Sequence, residues 1–578
     1  MPLESHALPI KGTRSHPNAL RALFGMGLLA MLLTAALPAQ AIQCLTQEMR
    51  ARLPEDLSEL ASLPRTHQPG DRMTPPPNPQ VGDSWDWYLW YFVGGPPHYI
   101  LTTCTVRGMG DNVYVIVRNA DWNVWVDQAD VDQIVANWDD TSYGDWPNQG
   151  IYPLNTSNFG PPPDRLDADP RIYVVLYDWD TSQADGYWNL GDEFADTPGN
   201  PSNECECLYV DASTSHPGGP SGAYLTAVMA HEFEHMIHWN GDPNEEAWVD
   251  EGLAELAMWF YGNPDTISGF NTNPDNNLTN FATGADYIKC YLWSLYLYEH
   301  FGGSPTILHL VDNPQISING VQTTLAAMGY SETVAEVVRD WATANYLDDP
   351  NIDGGKYNYA GEDLPVFSST LKSSYPVAPV NTTLNHWAGE YVKFINGQPQ
   401  QLNFNGGDGV NWYARVVKYS AGTPLSVEDV SLDGAAAGDF PLSGFGTLYD
   451  QVVMVVVNGS PGGSTAYLYS TEQLPTAVDD FLASAGGIRL RTAGANPFAK
   501  STAVMLDLAR TAQIQAVIHD ASGARVRTLA LGSMEPGSHL LHWDGRNDAG
   551  TPVPSGVYLL GIRADGGASL SHRMVKLK

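Results

Sequence analysis

His231 and His235 flank Glu232 and Glu234 in Ala230-His-Glu-Phe-Glu-His235, and sixteen residues further on Glu251 stands in Trp248-Val-Asp-Glu-Gly-Leu-Ala-Glu255. On a helix, imidazoles four residues apart share one face about 6 Å apart along the axis, so they can grip one metal ion, with Glu232 turned toward the same opening. That is the arrangement of a zinc hydrolase. Catalytic zinc takes three protein ligands and leaves a fourth position open, so a third ligand is required. His238 faces roughly the same way as His231 but lies about 10 Å along the axis, too far to share bonds of about 2 Å, and is assigned to a flank or to the substrate side. Glu251 is assigned to the metal. Asp250 and Glu255 are assigned to the outer shell, where a carboxylate accepts the free N–H of a ligand imidazole.

These residues need two helices to hold them. Ala223 to Trp239 reads as the first, with Leu225, Val228, Met229, Met236 and Ile237 available to bury and Asn240-Gly241 as a stop. The turn Gly241-Asp-Pro-Asn244 lets the chain double back, and a second helix starting near Val249 carries Glu251 and Glu255 on one face. Upstream, Trp85–Val93, Tyr99–Val106, Val113–Val117 and Ile172–Tyr177 read as strands, and Val131, Ile134, Val135 and Trp138 mark an amphipathic helix. Downstream, helices are expected over Asp286–Phe301, Pro305–Val311, Val321–Met328 and Ser331–Tyr346. Strands followed by helices around a metal predict an α+β catalytic domain over residues 81–360. From there the pattern turns to short strands at Glu390–Ile395, Gln401–Phe404, Trp412–Tyr419, Gln451–Val457 and Ala466–Tyr469, and predicts a β-sandwich over 361–482. A second, immunoglobulin-like sandwich is expected over 488–578, making the chain multidomain.

Ala230-His-Glu-Phe-Glu-His-Met-Ile-His-Trp-Asn240 together with Trp248-Val-Asp-Glu-Gly-Leu-Ala254 resembles the gluzincin metallopeptidases and, more narrowly, secreted bacterial peptidases of the immune inhibitor A and hyicolysin type. The resemblance extends over about residues 81–350 and includes Tyr209-Val-Asp211. It implies a zincin-like fold, Glu251 as the third zinc ligand, and endopeptidase action on protein substrates. Zinc would polarise the scissile carbonyl and acidify water, while Glu232 takes the water proton and returns it to the leaving amine. A downstream tyrosine often stabilises the oxyanion in similar enzymes. Tyr287 is the candidate here and Tyr291 the next, although this helix, with Trp293, Tyr296, Tyr298, His300 and Phe301, reads mainly as aromatic packing. The segments Ala495-Asn-Pro-Phe498, His542-Trp-Asp-Gly-Arg546 and Ser555-Gly-Val-Tyr-Leu559 resemble the flagellar hook-cap-type immunoglobulin-like module. Similar tails serve as sorting or attachment signals in type IX secretion, which implies cell-surface or secretion-machinery partners.

Lys11, Arg14 and Arg21 precede the apolar run Ala22–Leu37 and Pro38-Ala-Gln-Ala41, the pattern of a signal peptide over residues 1–41 and hence of export. No other apolar run is long enough for a transmembrane anchor. Residues 42–80 read as a leader or short pro-segment, with a helical pattern near Leu45–Leu63 and a stiff linker at Pro75-Pro-Pro-Asn-Pro79. The net charge of −36 becomes two units more negative without residues 1–41, which carry three basic residues and one acid, and such a surface repels nucleic acid. Calcium is a second candidate cofactor, through Asp164, Asp167 and Asp169 or Asp178, Asp180 and Asp185. Of the five cysteines, Cys44 could pair with Cys104, and Cys205 or Cys207 with Cys290; Cys44 could equally cap zinc. The alternative function is an adhesion or carbohydrate-binding protein with an inactive peptidase-like domain, a reading that suits the 17 tryptophans and 28 tyrosines.

Overall fold

Apolar runs without alternation belong in strands buried on both faces. Val113–Arg118 and Ile172–Tyr177 take that place in the computed structural model, which describes residues 42, 44–53, 73–91, 98–179, 184–197, 199–213, 216–282, 284–474, 488–508, 510–564 and 569–578. The expected signal peptide lies outside them. So does most of the expected Leu45–Leu63 helix, of which α1 (Thr46–Arg50) is described.

Strands β1 (Ser84–Tyr91), β2 (His98–Met109) and β3 (Val113–Arg118) form an antiparallel meander, followed by α2 (Gln128–Asp139) and α3 (Ile151–Phe159). Helix α2 starts on a capping box in which Asp127 accepts from the amides of Ala129 and Asp130. Next come β4 (Ile172–Tyr177), β5 (Gly186–Trp188) and β6 (Cys207–Asp211), giving the sheet order β1-β2-β3-β4-β6-β5. The pairs β3–β4 and β4–β6 are parallel; β5 is an antiparallel edge strand. Alternate residues divide between two cores. Val113, Val115 and Val117 face the helices, whereas Tyr114 and Ile116 join Trp85, Trp87, Tyr173, Tyr177 and Tyr209 in an aromatic layer on the other side.

Helices α4 (Ala223–Gly241), α5 (Ala247–Tyr261), α6 (Gly284–His300), α7 (Ser304–Val311), α8 (Ser317–Ala327) and α9 (Val334–Leu347) follow. Helix α4 has no side-chain N-cap and is buried from Leu225 to Trp239, so packing stabilises it. Helix α5 ends at Gly262, whose φ of 96° is the left-handed conformation that closes a helix. Gly252 sets the α5–α6 distance: a Cβ there would stand 2.8 Å from both the Cys290 carbonyl oxygen and Ser294 Oγ. The sequence did not announce α3, or β5 with its three residues, because neither is long enough to show a period.

Strands β7 (Thr370–Lys372), β8 (Val380–Leu384), β9 (Ala388–Ile395), β10 (Gln400–Gly406), β11 (Trp412–Ser420), β12 (Thr423–Asp429), β13 (Ala437–Leu442), β14 (Gln451–Asn458) and β15 (Thr465–Gln473) form two sheets, β13-β10-β15-β8 and β12-β11-β14-β9-β7. Phe394, Leu402, Phe404, Val416, Val456 and Tyr467 pack between them. The opposite face of the second sheet, with Tyr391, Val417, Val453, Val455 and Val457, belongs to the core of the helices. Tyr391 donates to the Ala342 carbonyl of α9 at 2.7 Å, and Arg415 lies 2.6 Å from Asp340.

Strands β16 (Ile488–Thr492), β17 (Thr502–Leu508), β18 (Ala512–Asp520), β19 (Arg525–Met534), β20 (Gly537–Trp543), β21 (Gly556–Ala564) and β22 (Ser569–Lys576) build a second sandwich from the sheets β16-β17-β20 and β19-β18-β21-β22. Its core holds Phe498, Trp543 and Tyr558. No helix among the described residues is long and apolar enough to cross a membrane.

Burial opposes charge on Asp340, but Arg339, Arg415 and Lys356 prevail and hold its carboxyl below the usual range. Its stabilisation is therefore fully present above the unfolded carboxylate value and lost as pH falls through the lower folded one. Asp340→Asn, which among the described residues leaves the exposed Asp429 as Arg415's one ion-pair partner, is expected to cost about 3 kcal/mol at pH 7. Thermal unfolding should show the gap between parent and variant closing below pH 4; a gap constant with pH would contradict this account.

Candidate metal centre

Helix α4 sends His231 and His235 from consecutive turns to one point, with their Nε2 atoms 3.1 Å apart. Helix α5 lies across α4 and brings Glu251 Oε2 to 3.4 Å from His231 Nε2 and 3.6 Å from His235 Nε2. A fourth donor arrives from the N-terminal segment: Cys44 Sγ is 3.6 Å from His235 Nε2. One ligand atom from each of these four residues lies within 4.8 Å of all the others, and all four are buried.

This donor set fits a divalent cation. Ligands bound tetrahedrally at about 2.0–2.3 Å stand roughly 3.3–3.8 Å apart, and the 3.1–3.6 Å separations here come close to that. Neither carboxylate oxygen of Glu251 has a hydrogen-bond partner among the described residues, although the residue is fully buried. Burial opposes charge on Glu251, but the two imidazoles outweigh it and hold the carboxyl below its usual range, and a cation held in common with them would supply that positive charge directly. Imidazole, carboxylate and thiolate together match the preference of zinc.

Each imidazole has a carboxylate behind it. Glu255 Oε1 is 3.4 Å from His231 Nδ1, and Asp250 Oδ1 is 3.0 Å from His235 Nδ1. The Asp250 contact is a hydrogen bond of the kind that fixes the tautomer leaving His235 Nε2 free for a metal, whereas Glu255 stands within ion-pair range of His231. Burial opposes charge on both histidines, yet the surrounding acids prevail and raise both well above the ordinary imidazole value. Burial, with Glu232 and Glu251, pushes the Cys44 thiol up, so it keeps its proton unless a cation stands among the donors.

Glu232 is wholly buried beside the two imidazoles, and burial raises its carboxyl. Its position depends on Gly186 in edge strand β5, where a Cβ would come within 2.8 Å of Glu232 Oε1 and 2.5 Å of Val228. Sequence patterning gave no sign of this glycine, because the close approach is between segments distant in the chain. Thr46 Oγ1 donates to Glu232 Oε2 at 2.7 Å.

Of the two places expected for His238, the structure shows a flank: it is buried, with Nδ1 3.2 Å from Asp250 Oδ1 and 3.5 Å from Glu234 Oε1. Asp250 thus serves His235 and His238 together. Burial pushes Glu234 up to about 8; for His238 burial acts the other way, but Asp250 and Glu234 raise it to about 9. Tyr287 is buried with its ring centre 6.3 Å from that of His231, whereas Tyr291 donates to Glu362 and His300 bonds the Asn358 carbonyl, both away from the metal donors. Of the two tyrosines, Tyr287 is the one beside the centre.

None of the five cysteines forms a disulfide, and all are buried. The pairings of Cys44 with Cys104 and of Cys205 or Cys207 with Cys290 are not formed, since Cys44 lies among the metal donors while Cys104, Cys205 and Cys207 lie in the aromatic layer across the sheet. The expected calcium set changes as well. Asp164 and Asp167 gather with Glu206, and Asp169 instead meets Arg171 at 3.2 Å and accepts from Tyr114 at 2.8 Å. In the other set, Asp185 accepts from Tyr224 at 2.7 Å, and Asp180 lies outside the described residues.

Loss of an outer-shell carboxylate typically weakens metal binding by about 10–100-fold. Asp250→Asn is expected to lower Zn²⁺ affinity by that factor in competition with a chromogenic chelator, with the parent binding one equivalent. A parent that binds no Zn²⁺ under these conditions would remove the centre.

Among solved structures, PorZ of Porphyromonas gingivalis, a surface component of its type-IX secretion system, aligns with 21% of this chain and 15% of its own at 18% identity and a TM-score of 0.12. Latent PorU of the same organism aligns with 36% and 19% at 12% identity and a TM-score of 0.15. Scores this low carry no argument. The basal-body rod modification protein FlgD of Salmonella typhimurium is 40% identical over 57 residues, 10% of this chain and 25% of that protein, so the chain spans about a quarter of the curated relatives it matches. Residues 494–567 match the model of the FlgD Ig-like domain, and the C-terminal sandwich is a module of that kind.

Proposed function

We propose that this chain is a secreted zinc-dependent endopeptidase with a zincin-like catalytic domain, which hydrolyses peptide bonds of extracellular proteins. The observation that carries the reading is the convergence of His231 Nε2, His235 Nε2 and Glu251 Oε2 within 3.1–3.6 Å of one another, with Glu232 buried beside them. These three residues would hold zinc, which when bound supplies a Lewis acid that polarises a peptide carbonyl and acidifies water.

The chain's own groups account for the rest. Glu232 takes a proton from the attacking water and returns it to the leaving amide nitrogen. Asp250 and Glu255 hold the two imidazoles in orientation, and Gly186 leaves room for the Glu232 side chain. Tyr287 is the donor available to the developing oxyanion. The outer side of edge strand β5, where Cys44, Leu45 and Thr46 now bond Gly186 and Trp188, is where an extended substrate would add as a further strand once they leave it. Residues 1–41 direct export, and the FlgD-type module attaches or sorts the protein at the cell surface through protein partners. An adhesion function alone leaves the buried donor set without a use.

Casein cleavage over long incubation is expected to stop on chelation and return with Zn²⁺. Glu232→Gln should retain one zinc per chain by elemental analysis and lose about 10²–10⁴-fold in kcat. Cleavage by Glu232→Gln at the parent rate would defeat the reading.

A further inference from the structure

Zinc poised for hydrolysis keeps one position open, and in this chain that position is filled from within. We infer that Cys44 is the fourth metal ligand and that Ile42 and residues 44–50 form an internal plug holding the centre latent; this rests on reading His231, His235 and Glu251 as the metal centre. Cys44 Sγ stands 3.6 Å from His235 Nε2 and 3.5 Å from Glu232 Oε2. The amide of Thr46 donates to Cys44 Sγ at 3.3 Å, a bond that favours a thiolate.

The same segment closes the other parts of the site. Thr46 occupies the proton-accepting oxygen of Glu232 through its hydroxyl, and that hydroxyl in turn accepts from the Trp188 amide of β5 at 2.8 Å. Cys44 bridges Gly186 in parallel sense, and the Leu45 amide donates to the Gly186 carbonyl at 3.1 Å, so the plug lies on the β5 edge where an extended substrate would add. Gln47 Nε2 donates to Asp250 Oδ2 at 2.7 Å, behind His235. At its start the plug is anchored by the buried Ile42, whose amide donates to Asp265 Oδ2 at 2.7 Å. Thiol, base, strand edge and outer shell are thus all engaged within six residues, Ile42 to Gln47. Every one of these contacts is non-covalent or a reversible metal bond, so displacing the segment opens the site without cutting the domain.

The test uses the full chain loaded with Co²⁺ in place of zinc. The parent is expected to show an intense near-ultraviolet thiolate-to-cobalt charge-transfer band. Cys44→Ser should lose the band while still binding one equivalent of Co²⁺, and Cys104→Ser, which removes a buried thiol across the sheet, should keep it. With zinc restored, Cys44→Ser should cleave casein at least about tenfold faster than the parent, as expected if fewer than a tenth of parent molecules are open at equilibrium. Bound cobalt without a thiolate band in the parent overturns the inference and leaves the metal centre standing; the parent spectrum alone decides this if Cys44→Ser fails to fold. A lost band with an unchanged rate overturns the inhibitory role. Failure of the parent to bind either ion removes the centre and the plug together.

Discussion

Like charges crowded into a dry interior are the constraint around which this molecule is arranged. Glu232, Glu234, Asp250, Glu251 and Glu255 are all buried within two helices, with His231, His235 and His238 beside them. Low surrounding polarity magnifies their repulsion, and few hydrogen-bond donors reach them. Positive charge must be supplied, either by protons on the imidazoles or by a cation among the donors. Against the opposing effect of burial, the surrounding acids raise both metal-facing histidines, and burial raises Glu234, so that protons can meet that demand. The spacing of the Nε2 and Oε2 atoms is how it is prepared to meet it otherwise.

Holding such a group together requires a stiff surround. Helix α4 is enclosed by the sheet on one side and by α5 on the other, and α5 is backed closely by α6 because Gly252 has no side chain. The outer face of the five-stranded sheet extends that support, since Val453, Val455 and Val457 complete the hydrophobic surroundings of α9. The sandwich therefore contributes to the scaffold of the half that carries the candidate metal centre and is more than a passenger.

The parts of this arrangement legible in the sequence are those written locally. Helical spacing placed His231, His235 and Glu232 on one face, and the Gly241-Asp-Pro-Asn turn brought Glu251 back to them. Strands β3 and β4 were visible as unbroken apolar runs. What stayed hidden depends on segments far apart: Gly186 matters only because Glu232 crosses it, and His238 looked available to substrate until α5 put Asp250 against it. Cys44 carried two readings in the sequence, because a thiol in a chain expected to be exported suits a disulfide as well as a metal. The choice turns on the 3.6 Å approach to His235, which no spacing in the chain encodes.

Edge strand β5 carries one more consequence. A sheet edge with free amides and carbonyls is a template on which any other extended chain can pair, and in crowded, partly folded stages such pairing nucleates aggregates. With the Cys44–Leu45 backbone laid along Gly186, that border presents a covered rim to its neighbours. The same short stretch that borders the buried donors thus also masks part of that template from other copies of the chain.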